Sequence, residues 1–487
     1  MLRSRFFKIV GAITIMNIIA RLLGFAREVT IGYQYGTSFR ADSIITAFTI
    51  PNFLYVVIGG AITTAFISVY SKLNASSRND FVQTLFSYLS VGIGGLTVVF
   101  IIFPTFWMNL FFSGMSEEAL ALTSKLFIVT APATFFLVVS MLLTGLHNVH
   151  ENYRLSTFTS LAFNGIYFII GFGLTPFLME YSYSLGATLG SLSMFIILVY
   201  QIKRQQLMPL QFKAKKLPEI KRFARLALPL VLGGATMQFY LIIQRIYAAR
   251  MEEGAIAAIN YASKMTQFPQ GVLMASVTTV IYPLLAKAAG ENDVGKLRDT
   301  YQKGFRLLTL TLLPASLFML MYAKEIITFI FQYGHFSEES TNMTYPLLQV
   351  FSLSVFSLAL NTYVTRFFYA LEHTLLPNVL NIISVFGVNI LVITLTIDHF
   401  GVKAIAFGTV VSTIVNMALL IIFGKTRLDL ALCSRRSAVN LGLFSLAAAG
   451  MLWLLSNVSA NSVFLPLLIG GIATLVIIWA GMKFVKE

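Results

Sequence analysis

The chain has 487 residues, 57% of them hydrophobic and only 11% charged, and a formal net charge of +15. Ordinary soluble domains carry about 25% charged residues, so the composition excludes a soluble globule, and the lack of alternating strands of about ten residues excludes a transmembrane barrel. Apolar segments of about 18–20 residues recur along the chain, so an all-α polytopic membrane protein is expected, with its basic excess in loops rather than on nucleic acid. The single cysteine, Cys433, leaves no intrachain disulfide and no thiolate metal cage.

The first predicted element begins in MLRSRFFKIVGAI. That start is basic, like a signal peptide, but no small-residue cleavage site follows a short apolar core, so it is read as a retained first helix near 6–34. Inside it the stretch ARLLGFAREV carries Arg21 and Arg27. An arginine at a helix centre costs about 2.5–3.5 kcal/mol on insertion scales, which makes an intramembrane cation a functional candidate. Arg21 lies about 15 residues in, roughly 22 Å deep at the helical rise. Arg27 falls near the outer interface, where a snorkelling arginine is cheap, so an interfacial reading competes more strongly there. The two are about 120° apart on a straight helix, and Gly24 between them offers a bend toward one cavity. Glu28 and Asp42 are the acids expected to hold them; the competing reading of Asp42 is the N-cap of the second span.

Further spans are expected near 42–72, 81–112, 118–147, 152–178 and 183–203. The linker RQQLMPLQFKAKKLPEIKRFAR follows, and then spans near 222–249, 255–288, 301–331, 340–371, 375–397, 402–424, 436–456 and 462–482. The total is about 14. Arg245 falls deep in the seventh span, Lys264 early in the eighth, and Arg366 toward the end of the tenth, where snorkelling explains it. Basic residues collect in alternate loops: Lys72 and Arg78, the linker, Lys287 to Lys303, and Lys425 to Arg436. The opposite loops carry Glu117, Glu118, Glu180, Glu252, Glu253, Glu338 and Glu339. Both chain ends are therefore expected in the cytoplasm.

The halves resemble each other at a shift of about 220 residues: Pro51 pairs with Pro269, NLFFSG with FIFQYG, Glu117–Glu118 with Glu338–Glu339, and Gly190 with Gly408. An even number of helices per repeat makes the repeats parallel, an architecture of transporters that work by alternating access. The expected division is an N-terminal lobe at 1–204, a basic linker at 205–221, a C-terminal lobe at 222–427, and two extra helices at 428–487. Arg21, Arg27, Arg245 and Lys264 would line a cavity between the halves with few acids to cancel them, which suits an anionic substrate bound in bidentate fashion by arginine.

No catalytic constellation appears, and a transporter rather than an enzyme is expected. His147, His150, His335, His373 and His399 fall at predicted helix ends or in loops. GENDVGKL, from Gly290 to Leu297, matches a phosphate-loop spacing but has Leu297 in place of the metal-binding hydroxyl and no preceding strand.

RLLGFAREVTIGYQYGTSFRADSIITAFTIPNFL strongly resembles the first two helices of the MurJ (MviN) lipid II flippase family, and YASKMTQFPQGVLMASVTTVIYPLLAK resembles its eighth-helix segment. The resemblance implies two six-helix lobes plus two helices that form a lipid-tail groove, in the multidrug/oligosaccharide-lipid/polysaccharide exporter superfamily that includes the MATE transporters. It implies export of lipid II, an undecaprenyl-diphosphate peptidoglycan precursor, across the bacterial cytoplasmic membrane. The family's first-helix arginines fall on Arg21 and Arg27, its acid on Asp42, and the asparagine of its P-N pair on Asn52. Arg21, Arg27, Asp42, Lys264, Arg245 and Asn52 are thus the candidate substrate-binding residues. Several positions depart from the pattern. Tyr55 and Val56 replace an arginine pair, Gly60 an acid, Lys264 an arginine, Gln267 a glutamate, and Gln244 an acid proposed for sodium binding. They leave another undecaprenyl-diphosphate-linked oligosaccharide as the alternative cargo. A MATE-like cation or drug antiporter is a further rival, and it predicts buried carboxylates; an inactive membrane scaffold and a membrane glycosyltransferase rank below it. No cofactor, metal or nucleic acid is expected. The partners are the polyprenyl-diphosphate glycan and membrane lipids, the working unit is a monomer, and coupling to the membrane potential or a monovalent cation has no assigned site.

Overall fold

The computed structural model describes residues 2–208, 211–291, 293–457 and 462–484. Among them every regular element is helical. Eleven helical stretches are long and apolar enough to cross a membrane. The other three expected spans, the first, seventh and eighth, are also long helices: Leu2–Tyr35, Pro218–Ala248 and Ala255–Gly290. These three carry Arg21, Arg27, Arg245 and Lys264.

Proline accounts for much of the departure from ideal spans. In the second span, Phe39–Tyr70, Pro51 has no N–H for the carbonyl of Ala47, and the helix breaks there, between Phe39–Ala47 and Thr49–Leu54. A π turn, Tyr55–Gly59, follows before the helix resumes at Gly60–Tyr70. Pro104 and Pro132 similarly begin new helices inside the expected third and fourth spans. Pro229, Pro314 and Pro346 stay within continuous helices, so proline alone does not dictate a break.

Contacts divide the chain into two compact units: Met1–Ile31 with Ser38–Ile256, and Gly32–Thr37 with Ala257–Glu487. The first compact unit runs past the linker at 205–221 and continues to Ile256. Linker polarity marks where a chain leaves the membrane, whereas a compact unit is set by which helices share an interior. The seventh helix shares that of the first unit, where Phe239 meets Phe53 with ring centroids 5.2 Å apart. The linker is itself strapped to the third span. Ser87 accepts the Lys213 N–H at 2.8 Å, Tyr88 donates to the Lys215 carbonyl at 3.2 Å, and Lys215 pairs with Asp80 at 2.6 Å. In the second unit the last two helices, Arg435–Ser456 and Phe464–Phe484, pack on Val294–Met321.

The duplicated sequence positions serve matching structural purposes. A Cβ on Gly190 would lie 2.8 Å from the Phe163 carbonyl, and one on Gly408 would lie 3.0 Å from the Asn389 carbonyl. Each glycine thus lets the sixth helix of its repeat touch the backbone of the fifth. Ser116 and Ser337 cap the helices that open with the two glutamate pairs, accepting the N–H groups of Ala119 and Ser340.

Candidate functional site

Arg27 and Glu28 lie on the first helix within the first unit. The Arg27 Nη2 atom is 2.7 Å from Glu28 Oε1, and the two side chains are only 12% and 7% exposed. Tyr167, from the fifth span Tyr153–Gly173, presents its ring to the guanidinium at 4.2 Å from the centroid. Phe48 stands 6.0 Å away and meets Tyr167 edge-on at 5.3 Å. Such cation–π contacts work within about 6 Å and strengthen when desolvated. Below the pair, Thr30 donates to the Arg27 carbonyl and receives the Tyr183 hydroxyl at 3.2 Å.

Arg245 reaches the same cluster from the seventh helix. Its Nη1 donates to the Thr49 hydroxyl, which itself donates to the Ile45 carbonyl at 3.0 Å. Arg245 interacts electrostatically with Glu28, Tyr167 and Arg27. The interruption before Pro51 therefore does local work, because Phe48 and Thr49 are the residues that meet the two arginines. Arg27 pairs with Glu28 directly and Arg245 interacts with it electrostatically, so these three side chains carry two positive charges against one negative.

The remaining predicted residues are placed differently. Arg21 is exposed, on one helical stripe with exposed Thr14 and Asn17, and makes no ion pair among the described residues. Arg21 was expected deep along the helix and Arg27 near its outer end; in the fold Arg27 is the more enclosed of the two, at 12% side-chain exposure, and Arg21 lies on an open face. Rise along a helix sets depth, but the face a residue occupies sets its burial. The first helix runs unbroken through Gly24, where a Cβ would lie 3.2 Å from Asn164 Oδ1, so this glycine serves a close contact with the fifth span.

Asp42 is buried, and its Oδ2 accepts the Gly254 N–H at 2.8 Å. The N-cap of the second span is Ser38, not Asp42. Glu253 returns the connection by accepting the Phe39 N–H at 2.9 Å. Asn52 is half-buried in Thr49–Leu54. Lys264 belongs to the second unit, half-buried, with Nζ 3.5 Å from Gln267 Oε1. The structure thus gathers Arg27 and Arg245, with Glu28 between them in charge. Tyr55 and Val56, the replacements for an arginine pair, lie in the π turn. Tyr167, Phe48 and Thr49 escaped the sequence reading; the only available signal was that Phe48 and Thr49 shortly precede Pro51. Among the described residues no group of three or more His, Cys, Asp or Glu side chains could hold a metal ion.

Comparison with known proteins agrees with this architecture. A family described as "Lipid II flippase MurJ" matches residues 31–471. A probable lipid II flippase MurJ of Buchnera aphidicola from Schizaphis graminum is 24% identical over 419 residues, covering 84% of this chain and 81% of the relative. The corresponding protein of Thermotoga maritima is 26% identical over 428 residues, covering 86% and 85%. Among solved structures, a lipid II flippase MurJ in an inward closed conformation superposes with a TM-score of 0.86 at 22% identity, over 97% of this chain and 98% of that one. An inward-facing MATE family multidrug transporter gives 0.71 at 14% identity, over 85% and 94%. The structural likeness is one of fold.

Proposed function

The chain belongs to the MurJ family of multi-pass membrane proteins, and from that premise we propose that it is a flippase that exports lipid II across the bacterial cytoplasmic membrane. It is a transporter, not an enzyme, and works by alternating access. The observation that carries the reading is the enclosed pair of Arg27 and Glu28 with half-buried Arg245 in electrostatic reach, two cations against one acid. Lipid II presents a diphosphate, and guanidinium groups meet phosphate oxygens with paired, charge-assisted hydrogen bonds.

In this reading Arg27 and Arg245 bind the diphosphate, and Arg21, on its exposed polar stripe, meets it on the way in or out. Lys264 is a further candidate cation for the same cargo. Asp42 supports the site by holding the turn at Gly254, and Asn52 contributes a neutral polar contact. Both chain ends face the cytoplasm, the side on which the basic loops lie. The protein acts as a monomer, and the membrane potential or a monovalent cation drives the cycle. A MATE-like antiporter needs a buried acid available to a cation, whereas the buried acids Glu28, Asp42 and Glu180 already meet Arg27, the Gly254 N–H and Arg40.

Tyr55 and Val56, in place of the family's arginine pair, favour one second reading: a different undecaprenyl-diphosphate-linked oligosaccharide as cargo. Depletion in cells that lack any other flippase distinguishes the two. Lipid II is expected to accumulate on the inner leaflet. Accumulation of another lipid-linked precursor, with lipid II export intact, would overturn the lipid II assignment and leave the second reading.

A further inference from the structure

We propose that Glu28 is a built-in competitor for the cargo's diphosphate, holding Arg27 while the site is empty and yielding it when the anion arrives. This inference rests on the reading of Arg27 and Arg245 as diphosphate ligands.

Residues i and i+1 on a helix point about 100° apart and do not face one another. Arg27 and Glu28 nevertheless meet at 2.7 Å in the middle of a continuous helix. Their pairing therefore draws the guanidinium sideways, off the direction its own Cβ sets. Both side chains are nearly buried, so the contact is a desolvated, charge-assisted one and not a surface pairing that water would screen.

The surroundings suit an exchange. Tyr167 offers its ring face to Arg27 at 4.2 Å, a neutral contact that the guanidinium keeps whichever anion it holds. Arg245 is anchored separately on Thr49, so a second cation stays in place while Arg27 changes partner. A diphosphate brings more charge than one carboxylate and spans two guanidiniums, so it displaces Glu28. Once displaced, the carboxylate lies beside the bound anion and repels it. That repulsion weakens binding and speeds departure, which a carrier needs as much as it needs capture: a site that held its cargo too tightly would stall the cycle.

The test uses the full-length protein in lipid nanodiscs, with undecaprenyl diphosphate as the binding probe, and vesicles in which flipping of lipid II is followed. Glu28→Gln is expected to bind the probe about tenfold more tightly, or about 1.4 kcal/mol, while flipping more slowly. Glu28→Asp, with a shorter reach toward Arg27, should tighten binding in the same direction by a smaller factor. If Glu28 only orients Arg27, both variants weaken binding, and that sign, or no change at all, overturns the proposal. Should Glu28→Gln not yield folded protein, the direction of the Glu28→Asp change decides. Arg27→Gln and Arg245→Gln report on the underlying site separately: unchanged probe binding in both would remove the diphosphate site itself, whatever the Glu28 variants do.

Discussion

In the first unit the buried acids Glu28, Asp42 and Glu180 each meet a cation or a backbone N–H: Arg27, Gly254 and Arg40 respectively. In the second unit the equally buried polar side chains among the described residues are amides and hydroxyls. Asn361 donates to the Thr413 carbonyl at 3.0 Å, Ser357 to the Thr413 hydroxyl at 2.9 Å, and Asn416 to Asn381 at 2.7 Å. Yet the two units share Gly190 and Gly408, and Ser116 and Ser337, in matching roles. Duplication has kept the devices that bring backbones together and has let the interior chemistry diverge. The physical reason is that a close glycine contact can be retained independently in each copy, whereas a buried ion needs its partner beside it.

The sharpest way to break this contrast is Arg27→Ala. Removing one partner of a buried pair typically costs about 3–5 kcal/mol when the other charge is left uncompensated, and because Arg245 still interacts with Glu28 the cost here lies toward the lower end of that range. Thermal unfolding of the purified protein should show a large drop. Arg27→Ala combined with Glu28→Ala should recover most of that stability, while lipid II flipping stays lost in both. Equal melting of the single and double variants would mean that Glu28 readily finds another cation, and the first unit would then tolerate charge loss as easily as a neutral network does.

The shared devices make smaller, paired predictions. Gly190→Ala and Gly408→Ala each force a Cβ against a carbonyl of the neighbouring helix, and overpacking of this kind costs about 1–3 kcal/mol. Similar falls in melting temperature sharpen the view that both glycines serve one purpose; a large cost in one and none in the other breaks it. Ser116→Ala and Ser337→Ala remove equivalent caps and should each cost about 1 kcal/mol, the smallest of the expected effects, read by the same measurement.

Much of the helical pattern was legible residue by residue. Apolar run length marked the spans, and the shift of about 220 residues paired Pro51 with Pro269 and the two glutamate pairs with each other; the break before Pro51 and the serine caps came only with the structure. The site was legible in part. ARLLGFAREV singled out Arg27, and the surplus of intramembrane cations singled out Arg245. Their relative burial was not legible, because Arg21 and Arg27 differ in which face of the helix they occupy, and other helices decide what that face meets. Tyr167 lies 140 positions from Arg27, and nothing local to it distinguishes it from the other aromatic residues of its span. Asp42 could be read as a cap or as a partner of the arginines; Gly254, which it holds, becomes its neighbour only through folding.

The amino-acid sequence by itself determined that this chain is an all-helical, multi-pass membrane protein, duplicated within itself and a member of the MurJ family. Those properties follow from hydrophobic length, local backbone chemistry and motifs, all of which are written over short distances along the chain. Only the tertiary structure decided that Arg27 is more enclosed than Arg21, that Tyr167 and Phe48 stand against it, and that Arg245 interacts electrostatically with its carboxylate partner. Burial and charge pairing depend on which helices pack together, and a linear order of residues does not state that.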